Sequence, residues 1–216
     1  MADSKKTQIK NDLAKLESCS DLERSIQLAK QANELCDPTL PFLHSMQYTE
    51  GDLDLSFYFS KSYNLKNIHK EEIFSLFKAN MYESYKNCPW GWREKKKRSE
   101  MFHQNARYIL VRQTSSKKVL VAFVHFRFDI EDLTEVLYLY EIQLKQEVRS
   151  KGLGRYLMNF LETMAIYYNM KRVVLTVLKN DNKVINFYLS QNYKIESYSP
   201  KNSFYYILSK LLIKNV

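Results

Sequence analysis

Alternation of apolar and polar residues marks the first predicted strand, where Leu53, Leu55, Phe57 and Phe59 are separated by Asp, Ser and Tyr. A period of two is typical of a strand that is buried on one face. Three more strand-like segments follow, at 106–112, 119–128 and 135–144. Short links join these segments, so the sequence predicts an antiparallel meander.

Apolar residues at helical spacing predict four helices, over 5–36, 73–85, 155–169 and 183–189. The first is one bent helix or two short ones, and Ser20 with Glu23 forms a capping pattern within it. The run Arg93–Arg98 predicts a further short helix, whose charges are most simply a solvated face. Strands at 172–178, 193–197 and 204–211 complete the order α, β, αα, βββ, α, β, α, ββ.

Two of only four glycines lie two positions apart in the segment Arg149-Ser-Lys-Gly-Leu-Gly-Arg155, between a predicted strand and a predicted helix. Such a turn can cradle an anion, because its backbone N–H groups point outward and the helix N-terminus adds about half a positive charge. An ordinary turn is the alternative, but Arg149, Lys151 and Arg155 place three cations around it. A dinucleotide-binding fingerprint, Gly-x-Gly-x-x-Gly after the first strand, is absent.

The net charge, the cysteine and histidine content and the apolar runs of the chain limit the kinds of protein it can be. The formal charge of +9 indicates an anionic partner, such as a phosphorylated cofactor, nucleic acid or a chromatin-like surface, although a solvated basic face is the commoner explanation. Three cysteines and four histidines lack metal-ligand spacing, so we expect free thiols and no metal site. No signal core and no long apolar run occurs, which predicts a soluble protein of the cytoplasm, the nucleus or both. We expect a helical segment, 1–40, docked on one domain, 41–216.

The element order, with Arg-x-x-Gly-x-Gly opening the helix after the fourth predicted strand, resembles the GCN5-related N-acetyltransferase (GNAT) fold. The resemblance implies an α/β (α+β) protein with a mixed, mostly antiparallel, twisted sheet flanked by helices, here with an extra N-terminal helical segment. It also implies acetyl-CoA as cofactor. The residues that the resemblance implies in contacting acetyl-CoA are Ile142, Gln143, Leu144, Arg149, Ser150, Lys151, Gly152, Leu153, Gly154, Arg155 and Tyr188, with Asn180 or Asn182.

A closer resemblance, over about residues 75–212, is to NatD-type N-terminal acetyltransferases. The segments that carry it are Asn80-Met81 with Tyr85, Trp90-Gly-Trp92, Phe126-Arg-Phe-Asp129, Val136-Leu-Tyr-Leu-Tyr-Glu141, Gln143-Leu144, Lys151-Gly-Leu-Gly154, Leu175-Thr-Val177 and Tyr206-Ile-Leu-Ser209. It implies acetylation of the α-amine of histone tails that begin Ser-Gly-Arg-Gly. The positions implied in holding the peptide or handling protons are Tyr85, Trp90, Asp129, Tyr140, Glu141, Thr176 and Tyr205. One departure is Asp181, where related enzymes often carry the Asn that contacts coenzyme A.

The chemistry needs a neutral amine, a proton acceptor and donors for the developing oxyanion. An α-amine is about one tenth neutral at pH 7, so a mild base suffices. Glu141, directly or through a water, is our candidate base, with Tyr140 or Tyr85 orienting or relaying protons. The oxyanion would be met by backbone N–H groups near 142–144, where a bulge can splay the strand. Without a bulge, Tyr140 and Glu141 would point to opposite faces.

Several alternatives stay open. Glu141 can be a surface carboxylate, the aromatic candidates can be core residues, and Asp129 can be an ordinary turn residue instead of a partner for the Arg of the tail. The protein can acetylate lysine or a small amine, or it can be a non-catalytic module that binds acyl-CoA or chromatin. Helix 93–98 can also touch DNA. For the enzyme we expect a monomer that works by direct attack in a ternary complex.

Overall fold

The described part of the chain, residues 19–115 and 118–213 of a computed structural model, is organised around one eight-stranded sheet. The strands are β1 Gln47–Glu50, β2 Leu53–Lys61, β3 Arg107–Gln113, β4 Leu120–Glu131, β5 Thr134–Leu144, β6 Arg172–Leu178, β7 Lys194–Ile195 and β8 Tyr205–Leu211. Their order is β1-β2-β3-β4-β5-β6-β8-β7. Only the β5–β6 pair within this sheet is parallel, so the predicted mixed, mostly antiparallel fold is confirmed.

Helices cover both faces of the sheet. They are α1 over 19–34, α2 Asn67–Lys86, α3 Glu94–Met101, α4 Leu153–Tyr167 and α5 Asn182–Leu189. One buried cluster joins α4 and α5 to sheet residues such as Leu137 and Leu139. The other joins α2 and α3 to Tyr108 and Phe123. None of the helices in the described part of the chain is long and apolar enough to cross a membrane.

The strand count differs from the prediction at the N-terminal edge. β1 was missed, because none of its four residues is buried and it therefore shows no apolar period. The predicted first strand is thus β2, and the glycine turn follows the fifth strand instead of the fourth. The strand predicted over 193–197 is only Lys194–Ile195 (β7) in the structure, and Tyr193 just before it is buried in the core.

The N-terminal helix is attached to the sheet through small and polar residues. Ala29 and Ala32 are buried, and the Ser25 hydroxyl donates a hydrogen bond of 2.5 Å to Glu135. Cys19 is already helical, so the expectation that Ser20 caps a helix is wrong. The part of the predicted helix before Cys19 lies outside the described residues.

A β-bulge interrupts the β4–β5 pairing. His125 lies opposite Glu141 and Phe126 lies opposite Leu139, which leaves Tyr140 as an extra residue on β5. Pairing between β5 and β6 ends at Leu139 and Leu175. Beyond Leu139 the edge of β5 that faces away from β4 therefore has no strand partner, and the bulge lies at Tyr140, just before the expected positions 142–144.

Candidate active site

The glycine turn presents free backbone donors. Gly152 has φ +78° and is the N-cap of α4, and Ser150 is also left-handed, with φ +59°. Within the described ranges, the N–H groups of residues 150–155 donate no hydrogen bond to the protein; the first that does is that of Tyr156, to Gly152 O at 3.0 Å. Six successive free donors at a helix N-terminus are the arrangement that an anion such as a phosphate can bind.

The β1–β2 hairpin supports this turn. The Tyr48 hydroxyl donates a hydrogen bond of 2.6 Å to Lys151 O, and the Lys151 ammonium lies 2.8 Å from Asp52. A Cβ atom added at Gly152 would lie 2.6 Å from the Tyr48 oxygen. An open cleft of about 580 Å³ separates the hairpin from the turn. The edge strand that sequence analysis missed therefore fixes the shape of the predicted anion site.

The cations predicted around the turn are used in different ways. The Arg149 guanidinium donates two hydrogen bonds, of 2.9 and 3.0 Å, to Leu144 O. Lys151 is paired with Asp52, whereas Arg155 is exposed. The free N–H groups and the positively charged side chains around them fit a diphosphate such as that of acetyl-CoA. Residues 150–155 would hold it, and the open edge of β5 would face the acyl end.

The structure explains the departure at Asp181. Its carboxylate accepts a hydrogen bond of 3.1 Å from the backbone N–H of Val184, so Asp181 is the N-cap of α5. Asn180 and Asn182 are both exposed on either side of it. Tyr188 is buried and packs edge-to-face on Tyr193. Its burial raises the pKa of the Tyr188 phenol well above the ordinary value.

Glu141 lies in a buried polar network. Only 7% of the residue is exposed, and one carboxylate oxygen lies 2.8 Å from the ammonium of Lys97 on α3. The other oxygen accepts a hydrogen bond of 2.8 Å from Gln143, whose own amide oxygen accepts one from Asn80 on α2. The bulge places Tyr140 on this same face, where it stacks on His125. The interpretation of Glu141 as a surface carboxylate is therefore wrong.

Tyr85 joins the network to an aromatic group. Its hydroxyl oxygen accepts a hydrogen bond of 3.1 Å from Lys97. Burial, and then the negative charge of Glu141, raise the pKa of Tyr85 to about 12, so the phenol is neutral at ordinary pH. Its ring lies 5.7 Å from that of Trp90, which in turn stacks at 5.5 Å on Tyr205. The structure thus brings Tyr85, Trp90 and Tyr205 together, as expected of one peptide site.

The remaining predicted residues are Thr176, one residue past the point where β5 and β6 separate, and Asp129 on β4. The hydroxyl of Thr176 lies 2.8 Å from that of Tyr138. Asp129 is exposed near the end of β4, beside the tight turn at Asp132. Burial and then the negative charges of Asp129 and Asp132 raise the pKa of Glu131. We call Asp129, Glu131 and Asp132 the acidic hairpin.

Sequence analysis missed three residues of this site. Lys97 was placed with the solvated face of its helix, and this is wrong, because only 8% of the residue is exposed. The pattern does contain one clue: Lys97 lies four positions before Met101, and both are buried on the same face of α3. Tyr48 and Tyr138 had no comparable clue among 16 tyrosines.

Comparison with known proteins gives a consistent result. Residues 71–193, more than half of the chain, match the model of the Acetyltransferase (GNAT) family. A GNAT-family acetyltransferase from Listeria monocytogenes is similar over 77% of this chain and 99% of its own, with a TM-score of 0.55 and 14% identity. Ard1 from Thermoplasma volcanium is similar over 73% and 99%, with a TM-score of 0.51 and 13% identity. The PaiA N-acetyltransferase from Thermoplasma acidophilum, solved in complex with coenzyme A, is similar over 72% and 99%, with a TM-score of 0.51 and 15% identity.

Proposed function

Because the chain belongs to the GNAT acetyltransferase family, we propose that it acetylates the α-amine of a basic polypeptide N-terminus, of the Ser-Gly-Arg-Gly type found on histone tails. Membership in the family makes the protein an acetyltransferase that uses acetyl-CoA. The choice of amine is the proposed part. It depends on the residues that surround the opening between β5 and β6.

The observation that carries the proposal is that Asp129 and Glu131 of the acidic hairpin act electrostatically on Tyr140, the bulge residue next to this opening. Burial raises the pKa of Tyr140, the Arg127 guanidinium opposes this, and the carboxylates of Asp129 and Glu131 raise the pKa further. The protein as a whole has a charge of +9 and would repel a basic peptide. A local acidic group is what an Arg at the third position of the tail requires.

The aromatic group supplies the other wall of the proposed peptide site. Trp90 is 39% exposed, while Tyr85 behind it is largely buried. Flat rings of this kind can enclose the first, uncharged side chain and main chain of a peptide while excluding water. A long lysine side chain would need a narrow channel instead. An exposed rim that leads to a buried carboxylate fits a main-chain terminus better.

The chemistry follows from the ionisation states of the two groups. Bound acetyl-CoA supplies the acyl group in activated form, as a thioester. The carboxylate of Glu141 accepts the proton that the attacking amine gives up, directly or through a water. The phenol of Tyr85 stays protonated, so it acts as a hydrogen-bond donor and not as the base. Backbone N–H groups of β5 beyond Leu139 that face away from β4 can donate to the oxyanion.

A peptide series tests the proposal. The protein and acetyl-CoA are incubated with a Ser-Gly-Arg-Gly peptide that also contains an internal lysine, either free or blocked at its N-terminus, and mass spectrometry locates the acetyl group. We expect acetylation of the free peptide at its α-amine and none of the blocked peptide. Acetylation that survives blocking would show a lysine acetyltransferase. Coenzyme A binding without any transfer to peptides or small amines would show a non-catalytic module.

A further inference from the structure

Among the described residues, Lys97 is the one cation that contacts both Glu141 and Tyr85, although nothing in the catalytic scheme uses it. We propose that Lys97 is a positioning residue of the active site, which keeps the Glu141 carboxylate ionised and aimed and fixes the direction of the Tyr85 hydroxyl. This inference rests on the proposed function only in assigning the proton acceptor to Glu141.

The geometry uses every donor that Lys97 has. An ammonium group carries three N–H donors and no acceptor. Three oxygens lie around it, at 2.8 Å on Glu141, 3.1 Å on Tyr85 and 2.5 Å on Glu100. Lys97 therefore has no donor left for a substrate, so it acts through its neighbours and not on the reacting atoms.

Burial makes the contact between Lys97 and Glu141 important for the charge of both groups. The side chains of Lys97 and Glu141 are 9% and 7% exposed, whereas that of Glu100 is 41% exposed. Burial alone would lower the pKa of Lys97, but Glu141, Tyr85 and Glu100 outweigh it and raise the pKa above its usual value. The ammonium thus stays charged. A buried carboxylate that loses its cation tends to take up a proton instead, and a protonated Glu141 cannot accept one from the amine.

Lys97 also controls the direction in which the Tyr85 hydroxyl points. Because its oxygen accepts from Lys97, its own O–H must point elsewhere. The rings of Phe77 and Tyr85 lie 5.0 and 5.3 Å from the ammonium and confine it further. Lys97 therefore selects one orientation of a hydroxyl that would otherwise rotate.

Other charged or titratable groups face Glu141 from the elements around it, and they bear on any pH dependence. They are Tyr85 on α2, Lys97 and Glu100 on α3, Tyr108 on β3, His125 on β4 and Tyr188 on α5. Burial lowers the pKa of His125 well below its ordinary value, and the pKa values of the three tyrosines are raised. Because Lys97 is one of the charges that lower the pKa of His125, a pH-dependent change after loss of Lys97 is assigned to Glu141 only by observing that carboxyl directly.

The test compares Lys97→Met with two controls, Lys97→Arg and Glu100→Gln. We measure kcat/KM for the Ser-Gly-Arg-Gly peptide from pH 6 to 9, and we divide each value by that of the unaltered protein, which cancels the titration of the substrate amine. For Lys97→Met we expect this ratio to be lowest at pH 6 and to rise with pH to a constant value by pH 9, because the ionised fraction of the uncompensated Glu141 carboxyl rises with pH. Both controls keep a cation at Glu141, so their ratios should stay flat.

A ratio for Lys97→Met that is low but independent of pH would overturn the inference, because a merely structural role lowers activity equally at every pH. Coenzyme A binding by calorimetry checks that each variant is folded. If Lys97→Met does not fold, Lys97→Gln keeps a hydrogen-bond donor without the charge, and the same rise with pH is expected of it.

A second measurement does not depend on the substrate. Carbon-13 NMR follows the side-chain carboxyl of Glu141, assigned by its disappearance in Glu141→Gln. We expect removal of the ammonium to move the titration of this carboxyl to higher pH by about one unit or more. An unmoved titration overturns the inference, even if the peptide proves not to be the substrate. An inactive unaltered protein with a moved titration overturns only the proposed function.

Discussion

The proposed cofactor loop at residues 150–155 and the proposed acceptor site around Glu141 follow one another along the chain but are built differently. The loop offers backbone N–H groups, which every residue except proline carries, and its shape depends on a left-handed Gly152. The acceptor site offers one carboxylate, held by a buried ammonium and an amide. The loop is open to solvent, while Glu141 is almost fully buried.

This difference predicts opposite sensitivities. A backbone site should tolerate most side-chain changes nearby and fail when a new Cβ alters the main chain. A side-chain site should fail when one charge is removed, even if the backbone is unchanged, because no neighbouring group can replace that charge. Four changes test this contrast.

The largest effect is expected for Glu141→Gln. It removes the proton acceptor and keeps the size of the side chain, so kcat should fall about 100- to 1,000-fold, the range for loss of a general base. The measurement is steady-state turnover with the Ser-Gly-Arg-Gly peptide. Coenzyme A affinity, measured by calorimetry, should stay the same, since the loop is untouched. Turnover within threefold of the unaltered protein would remove Glu141 from the mechanism.

Gly152→Ala should act on the loop alone. The new Cβ meets the Tyr48 oxygen at 2.6 Å, and a left-handed alanine costs about 1–2 kcal/mol, so coenzyme A should bind about tenfold more weakly. Gly51→Ala is the matched control, because Gly51 is also left-handed but has open space around it.

The contact between the Tyr48 oxygen and the new Cβ of Gly152→Ala allows a more specific test. Tyr48→Phe removes the oxygen that the new Cβ would meet, and the next atom of that ring is 3.8 Å away. Gly152→Ala should therefore cost less coenzyme A affinity in the Tyr48→Phe background than in the unaltered protein. Equal losses in the two backgrounds would mean that backbone strain alone, and not the contact with Tyr48, is responsible.

Asp129→Asn should have a smaller effect, on the peptide only. Because Asp129 is exposed, its charge is worth about 0.4–1 kcal/mol, which raises KM for the Ser-Gly-Arg-Gly peptide about two- to fivefold. Steady-state kinetics with a Ser-Gly-Ala-Gly peptide provide the control, since that peptide has no Arg to pair. An equal rise in KM for both peptides would contradict a contact with Arg.

The smallest change is expected from Tyr85 at alkaline pH. Its pKa is raised from 10 to about 12, so the phenol remains protonated below that pH. Between pH 8.5 and 10.5, kcat should therefore show no decline that belongs to Tyr85. The measurement is a kcat profile of the unaltered protein beside Tyr85→Phe. A decline near pH 10 that Tyr85→Phe abolishes would contradict the burial argument.

Much of the fold could be predicted from sequence because its elements are periodic. The alternation at 53–59 and the helical spacing at 73–85 each gave the right element. β1 escaped because it is an exposed edge strand, which needs no apolar face. Its contribution, the support of the cofactor loop by Tyr48, depends on residues far apart in the chain.

The sequence by itself determined the cofactor loop, because a turn with two glycines between a strand and a helix carries its own backbone donors wherever it lies. It also supplied Glu141 as a candidate base. Only the tertiary structure decided what surrounds that carboxylate. The bulge at Tyr140 turns Glu141 toward α3, and the packing of α3 brings Lys97 to it. The reason is that a buried charge is defined by partners from other elements, which no local pattern contains.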